Sequence, residues 1–336
     1  MTGFSGVNYA DLGVRIGLYA VATFLAHAQP QLALDKFAQM IEVPKNKGQQ
    51  IKWRRLVPFD AAMDKLVEGI TPSPQGVQYE DVSSTLSQFG AFIPFTDIVI
   101  DTHEDDNLRQ FSIAAGEQAA LTKERILWNT MIGGTNVIYS GAATSRATVQ
   151  APLDLGDIQL VTRALKNNMA KPITKIITAT DKIATQPVAP GYVAIGHTNL
   201  EQDIRALAGF VPREQYANSG TLLQDMELGK VQDIRVILLP HLPYFEGAGS
   251  GTTTGVLFTG ANVDVYPLVV FGENAFGTTA LKGMSAANVW VKSPKGGESY
   301  EDPLGQRGFV AWKMWYAGVR LNEAWLIRVE CAATAL

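Results

Sequence analysis

Groups able to do chemistry are sparse in this sequence. His27, His103, His197 and His241 are scattered, and no pair has the helical spacing that would turn two imidazoles toward one metal. HExxH, CxxC and GxSxG are absent. The run EGAGSGTTTG over 246–255 lacks the lysine of a phosphate-binding loop and does not fit GxGxxG; it reads as a flexible loop. The densest cluster is Asp101, His103, Glu104, Asp105 and Asp106. Its oxygens suit a divalent cation, but the same charges are what the start of a helix attracts, and that reading asks for less. Lys52, Trp53, Arg54 and Arg55 can meet phosphates or the carboxylates of a protein partner; four residues on one strand favour the protein contact. No catalytic, cofactor-binding or metal-ligating residue is expected.

The elements that carry these residues centre on 101–132. This stretch has no proline and only Gly116 as an internal glycine. On a helix, Leu108, Phe111, Ala115, Ala119 and Ile126 form one stripe, and Ile113, Ala120, Leu127 and Met131 a second. Asp101 with Glu104 has capping-box spacing, and Gly133 and Gly134 end the run. Such a helix is about 40 Å long at roughly 1.5 Å per residue, a spine for the domain around it.

Ahead of it, residues 1–48 read as an arm: a helix over 9–28 with Val14, Leu18, Val21 and Leu25 on one face, then a helical piece over 32–40. Residues 49–98 read as an extended loop with strands at 50–57, 77–86 and 88–95, a short helix over 61–67, and the turn cluster TPSPQG between them. Its charge is segregated. Lys45, Lys47, Lys52, Arg54 and Arg55 precede the turn, whereas no Lys or Arg occurs from 71 to 107, where Glu80, Asp81, Asp97 and Asp101 lie. The two limbs can pair with each other or dock on a second copy.

After the spine come a strand at 136–139 and a helix over 155–167. A mixed domain follows, with strands at 173–178, 192–195, 231–239, 256–258 and 268–271, and a capping box of Thr198 with Glu201. The tail over 309–331 reads as a hairpin. Its first strand, through Val310, Trp312, Met314 and Tyr316, is apolar on both faces. On the second, Trp325, Ile327, Val329 and Cys331 share a face while Arg328 and Glu330 point the other way.

With 336 residues, 46% hydrophobic and 18% charged, the chain is long enough for a large core. A net charge of −4 from 28 basic and 32 acidic residues argues against a surface dedicated to nucleic acid. Cys331 is the single cysteine, so no intrachain disulfide forms. The apolar run over 14–28 lacks a basic leader and is shorter than the roughly 20 residues a bilayer demands. The sequence therefore points to a soluble protein.

Five stretches, in this order, resemble the major capsid proteins of tailed double-stranded-DNA bacteriophages, specifically a subfamily of short-tailed phages: VPKNKGQQIKWRR (43–55), DVSSTLSQFGAFIPFTDIVIDTHED (81–105), GEQAA (116–120), GGTNVIYSG (133–141) and DPLGQRGFVAWKMWYAGVRLNEAWLIRVE (302–330). The likeness covers nearly the whole chain and is weakest in the middle. It implies an α+β fold shared with the herpesvirus capsid floor: an arm (1–48), an extended loop (49–98), a peripheral domain on the spine helix (99–168), an axial domain (169–285), and return strands completing the peripheral sheet (286–336). It further implies a virion subunit, assembled in the bacterial cytoplasm, that forms hexamers and pentamers enclosing the DNA. Partners would be further copies of itself, a portal, a separate scaffolding protein, decoration proteins, and DNA held without sequence preference; no membrane and no cofactor. Lys52, Trp53, Arg54, Arg55, Glu80 and Asp81 are the candidate contacts between subunits, and Leu108, Phe111, Ala115, Ala119 and Ile126 the packing face of the spine. Two alternatives stay open, the shell of a bacterial nanocompartment of the same fold and a small-molecule enzyme using the middle domain.

Overall fold

The computed structural model describes residues 32–335 apart from 62, 64, 66–67, 70, 72–73, 103–106, 179–183, 217–221, 224–225, 252–254, 283–287 and 295–301. The expected arm helix over 9–28 and the cluster from His103 to Asp106 lie outside the described residues, as does most of the short helix expected over 61–67; positions 61, 63 and 65 are not helical. The elements in chain order are β1 (Gln39–Val43), β2 (Gln50–Leu56), β3 (Tyr79–Thr85), β4 (Ser87–Thr96), α1 (Asp97–Thr102), α2 (Asn107–Ile132), β5 (Val137–Tyr139), α3 (Leu155–Asn167), β6 (Ile173–Thr178) and β7 (Ala184–His197). They continue with α4 (Glu201–Ala206), β8 (Phe210–Pro212), β9 (Glu227–Val231), β10 (Ile234–Leu239), β11 (Phe258–Thr259), β12 (Asn262–Val263), β13 (Tyr266–Phe271), β14 (Phe276–Leu281), β15 (Asn288–Lys292), β16 (Arg307–Arg320) and β17 (Leu326–Cys331).

Two large sheets carry the molecule. The eight-stranded one runs β5-β17-β13-β7-β10-β9-β8, with β6 also on β7. Its central strands are apolar on both faces because both are covered. Tyr192, Ala194, Leu268, Val270, Ile327 and Val329 pack with Ile158, Val161 and Leu165 of α3. The alternate residues Val193, Ile195, Val269 and Phe271 pack with Leu127, Trp128 and Met131 of α2 and with Leu34. The helix α3 begins where Asp154 accepts from the Leu155 N–H and forms a capping box with Asp157.

The five-stranded sheet is built on β16, which pairs antiparallel with β4 over 307–316, with β15 over 309–313 and with β14 over 316–320. The strand β1 adds to β14 in parallel, Gln39 opposite Gly277 and Val43 opposite Leu281. Against one face of this sheet lies α2, unbroken through Gly116. Residues Leu108, Phe111 and Ile126 pack with buried Ala115 and Ala119 on Phe95, Val310, Trp312 and Met314. At its far end α2 turns Leu127, Trp128 and Met131 to the other sheet. One helix serves two cores; of its second stripe Leu127 and Met131 are buried in the other core, whereas Ile113 is exposed.

Glycine makes one of these contacts possible. Gly308 faces Phe95 across the ladder. A Cβ there would sit 2.4 Å from the Phe95 ring and 2.7 Å from the Lys292 carbonyl oxygen. Because one obstacle is backbone, relaxation is expensive. Gly308→Ala should lower unfolding free energy by about 1 to 3 kcal/mol, read from urea melts; a change below about 0.5 kcal/mol would show that β4 and β16 separate easily.

Several expectations need correction. β16 and β17 are not a hairpin; they enter different sheets, separated by a bend and a 3-10 turn (Glu323–Trp325). Only one face of β16 is fully covered, the other being half-exposed. The face of β17 bearing Arg328 and Glu330 is buried too, so its polar residues signal an internal ion cluster. β4 belongs to the five-stranded sheet, and the ribbon is β2 with β3 alone, because Phe89, Ala91 and Phe95 go under α2. The run 231–239 is split by a tight turn with Gln232 at φ 53°. The helical piece over 32–40 is one 3-10 turn (Leu34–Phe37) followed by β1. No Thr198–Glu201 capping box forms: His197 Nδ1 accepts from the Asn199 N–H, and Glu201 pairs with Arg205.

Candidate assembly interface

The ribbon β2–β3 is antiparallel, with Trp53 opposite Val82, Arg54 opposite Asp81 and Arg55 opposite Glu80. The segregated charges therefore meet within the chain. Arg54 holds Asp81 through two bonds, Nε to Oδ1 at 2.7 Å and Nη2 to Oδ2 at 3.0 Å, and Arg55 donates from Nε to Glu80 Oε2 at 2.8 Å. The Arg54 guanidinium holds the Asp81 carboxyl below the usual carboxylate range. It also lies 5.5 Å from the centroid of the Tyr79 ring. Lys52 is exposed and Trp53 half-buried, its Nε1 enclosed without a hydrogen-bond partner.

The ribbon's apolar residues stay largely uncovered. Phe59 is 51% exposed, Leu56 47% and Tyr79 61%, and Val57, Met63 and Val77 are exposed with them. Only its root is seated, where Ile51 packs beside Val43, Leu86 and Ala317. A two-stranded ribbon is marginal alone in water, and a monomer rarely leaves so many large apolar groups in one place. Of the six contact candidates, four are joined in two internal pairs. The spine residues, by contrast, meet in one core. The sequence already asks for cover from elsewhere over Trp53, Leu56, Phe59, Phe89 and Phe92, because a two-stranded ribbon cannot bury them; the structure leaves Leu56, Phe59 and Phe92 uncovered, adds Tyr79 to them, and puts Phe89 under α2.

Two further polar groups escaped the sequence. Glu124 falls in the second stripe of α2, four residues past Ala120, and a carboxylate within an apolar stripe was the available signal. It is 3% exposed and accepts from the backbone N–H groups of Ala33 and Leu34 at 2.9 and 3.0 Å. Glu330, fully buried, takes two bonds from Arg146, Nε to Oε2 at 2.9 Å and Nη2 to Oε1 at 2.7 Å. Arg328 Nε also lies 2.7 Å from Glu330 Oε1, but its orientation makes no hydrogen bond.

Among the described residues, no group of three or more His, Cys, Asp or Glu side chains is placed to hold a metal ion, and no helix is long and apolar enough to cross a membrane. One helix thus spans two cores, and the ribbon keeps its apolar edge uncovered. Residues 79–329 match the model of the family described as phage capsid protein, and the chain belongs to that family. It is 26% identical over 270 residues to the major capsid protein of Pseudomonas phage KPP21, covering 74% of this chain and 66% of that one, just under two thirds of the relative's length. The fold is that of tailed-phage capsids. The capsid of Ralstonia phage GP4 superposes with a TM-score of 0.68 at 12% identity over 99% of each chain. For the capsid of Cyanophage P-SCSP1u the values are 0.61 and 14% over 98% of each.

Proposed function

We propose that this chain is the shell-building subunit of an icosahedral phage head, assembling with copies of itself into hexamers and pentamers around double-stranded DNA. The observation that carries this reading is the ribbon: its edge residues Leu56, Phe59 and Tyr79 are uncovered, while the cores on α2 and α3 are closed. A neighbouring subunit supplies the cover. Arg54, Arg55, Glu80 and Asp81 act by stiffening the ribbon through their internal pairs and presenting a fixed edge, while Lys52 and Trp53 meet the neighbour. A portal, a scaffolding protein and decoration proteins complete the particle, which forms in the bacterial cytoplasm. The division into arm, loop, peripheral and axial regions follows the same reading, with β4 and β14 moved to the peripheral sheet and β5, α3 and β17 to the axial one.

The test is negative-stain microscopy of the purified protein, alone and with candidate scaffolds. Closed shells are expected; a dispersed oligomer under all conditions would overturn the reading. Leu56→Ser with Phe59→Ser should leave circular dichroism unchanged, since neither side chain belongs to a buried core and each is about half exposed, and should sharply lower shell yield. Each buried side chain of this size is worth about 1.5 to 3 kcal/mol, repeated at every contact of a closed shell. Normal shells from the double variant would place the contact elsewhere.

A further inference from the structure

The place where the arm joins the body carries a feature that the shell reading does not use. Ala33 and Leu34 are buried against Leu127, Trp128, Met131 and Phe276. Their two N–H groups converge on one oxygen of Glu124, Oε1, at 2.9 and 3.0 Å. Neither bond occupies Oε2. The charged or titratable groups facing this carboxyl are few: Asp35 on the arm, Lys123 on α2, and Tyr316 on β16. Lys123 is paired with Asp35, and Tyr316 donates its hydroxyl to Asp35 Oδ1 at 2.7 Å. Among the described residues, the cation acting on this carboxyl is thus already engaged by another carboxylate. Beyond this turn β1 is laid on β14, so Glu124 holds the turn that leads into β1.

We propose that Glu124 is a proton-sensitive latch on the turn Leu34–Phe37 that leads into β1, closed when its carboxyl is protonated and loosened when it ionises. Protonation can fall on Oε2 while Oε1 keeps both backbone N–H groups, so the closed geometry survives neutralisation. Ionisation leaves a charge enclosed between apolar side chains and beside Asp35, and lifting the arm admits water to it.

The sign follows from linkage. In the closed state burial pushes the Glu124 carboxyl above its ordinary value; the Ala33 and Leu34 N–H groups act against this and Asp35 with it. In the open state the carboxyl is wetted and returns to the ordinary glutamate range. The closed state therefore binds the proton more tightly. Rising pH across the interval between the two values favours opening, and falling pH favours closure.

The test is hydrogen exchange on the full chain from about pH 5 to about pH 8.5, with rates corrected for the intrinsic pH dependence of exchange. Protection of residues 33–38 should fall by up to about tenfold per pH unit within the interval, while protection of the α2 interior stays level. Glu124→Gln, permanently neutral and still offering Oε1, should hold these residues protected at all pH values. Asp35→Asn, which removes the neighbouring negative charge, should move the wild-type midpoint to lower pH, and keeps the test open should Glu124→Gln not fold. Wild-type protection independent of pH would overturn the latch, as would an undiminished pH slope in Glu124→Gln or an unmoved midpoint in Asp35→Asn. None of these readouts depends on shell assembly.

Discussion

Replacing Glu330 by alanine is expected to be among the most damaging single substitutions in the chain, lowering the free energy of unfolding by about 3 to 5 kcal/mol. The side chain has no exposure and is the shared counter-ion of two arginines. Arg146 reaches it from the loop after β5, its guanidinium 3.5 Å from the centre of the Phe245 ring. Arg328 reaches it from its own strand, and burial already pulls that guanidinium below its usual value. Without Glu330 the Arg328 guanidinium is held in a covered site with its counter-ion gone, while Arg146, 34% exposed, loses its two bonds. Domain stabilities of about 5 to 15 kcal/mol leave little room for such a loss. Equilibrium urea unfolding measures it, and a loss under about 1 kcal/mol would mean that water replaces the carboxylate. The double change Glu330→Met with Arg328→Met should be milder than Glu330→Ala, because it removes the more deeply buried cation together with its counter-ion, and a broken ion pair harms more than an absent one.

Trp128→Ala should have a comparable effect, about 3 to 5 kcal/mol. Trp128 is fully buried where the end of α2 meets the eight-stranded sheet, among Leu127, Met131, Val193 and Phe271. Its Nε1 donates to the Pro243 carbonyl oxygen at 3.0 Å, tying the helix to the loop after β10. Truncation leaves a large cavity and an unpaired acceptor. Trp128→Phe keeps most of the volume and loses the bond, so it should recover more than half of the loss. Hydrogen exchange should show the last turns of α2 opening in Trp128→Ala while the Leu108 to Ala119 face stays closed, since that face rests on the other sheet. Uniform loosening along α2 would show that its two halves are one cooperative unit.

The stripe on α2 was legible in the sequence because it is local: residues three and four apart on a helix share a face whatever surrounds them. The bounds of α3 were legible for a similar reason, with Asp154 and Asp157 stating where it starts. The order of five short stretches was enough to suggest the capsid fold, although each is chemically ordinary.

What the sequence alone determined was which faces are apolar; what the tertiary structure decided was what covers them. Periodicity shows that Trp312 and Met314 share a face and that Ile327 and Val329 do too, but it does not say that one pair lies under α2 and the other on α3. Those pairings depend on segments far apart in the chain: β1 with β14, and β5 with β17. Charge behaves likewise. Arg328 and Glu330 look like a solvent face until Arg146 is brought over them, and Glu124 looks like an exposed helical carboxylate until the arm folds back on it. The ribbon was readable as strands, yet only the three-dimensional pairing shows that its arginines answer its own acids and that its apolar edge stays uncovered within the chain. A side chain's type sets what partner it needs, and the path of the distant chain decides whether that partner is water, the same molecule or the next one.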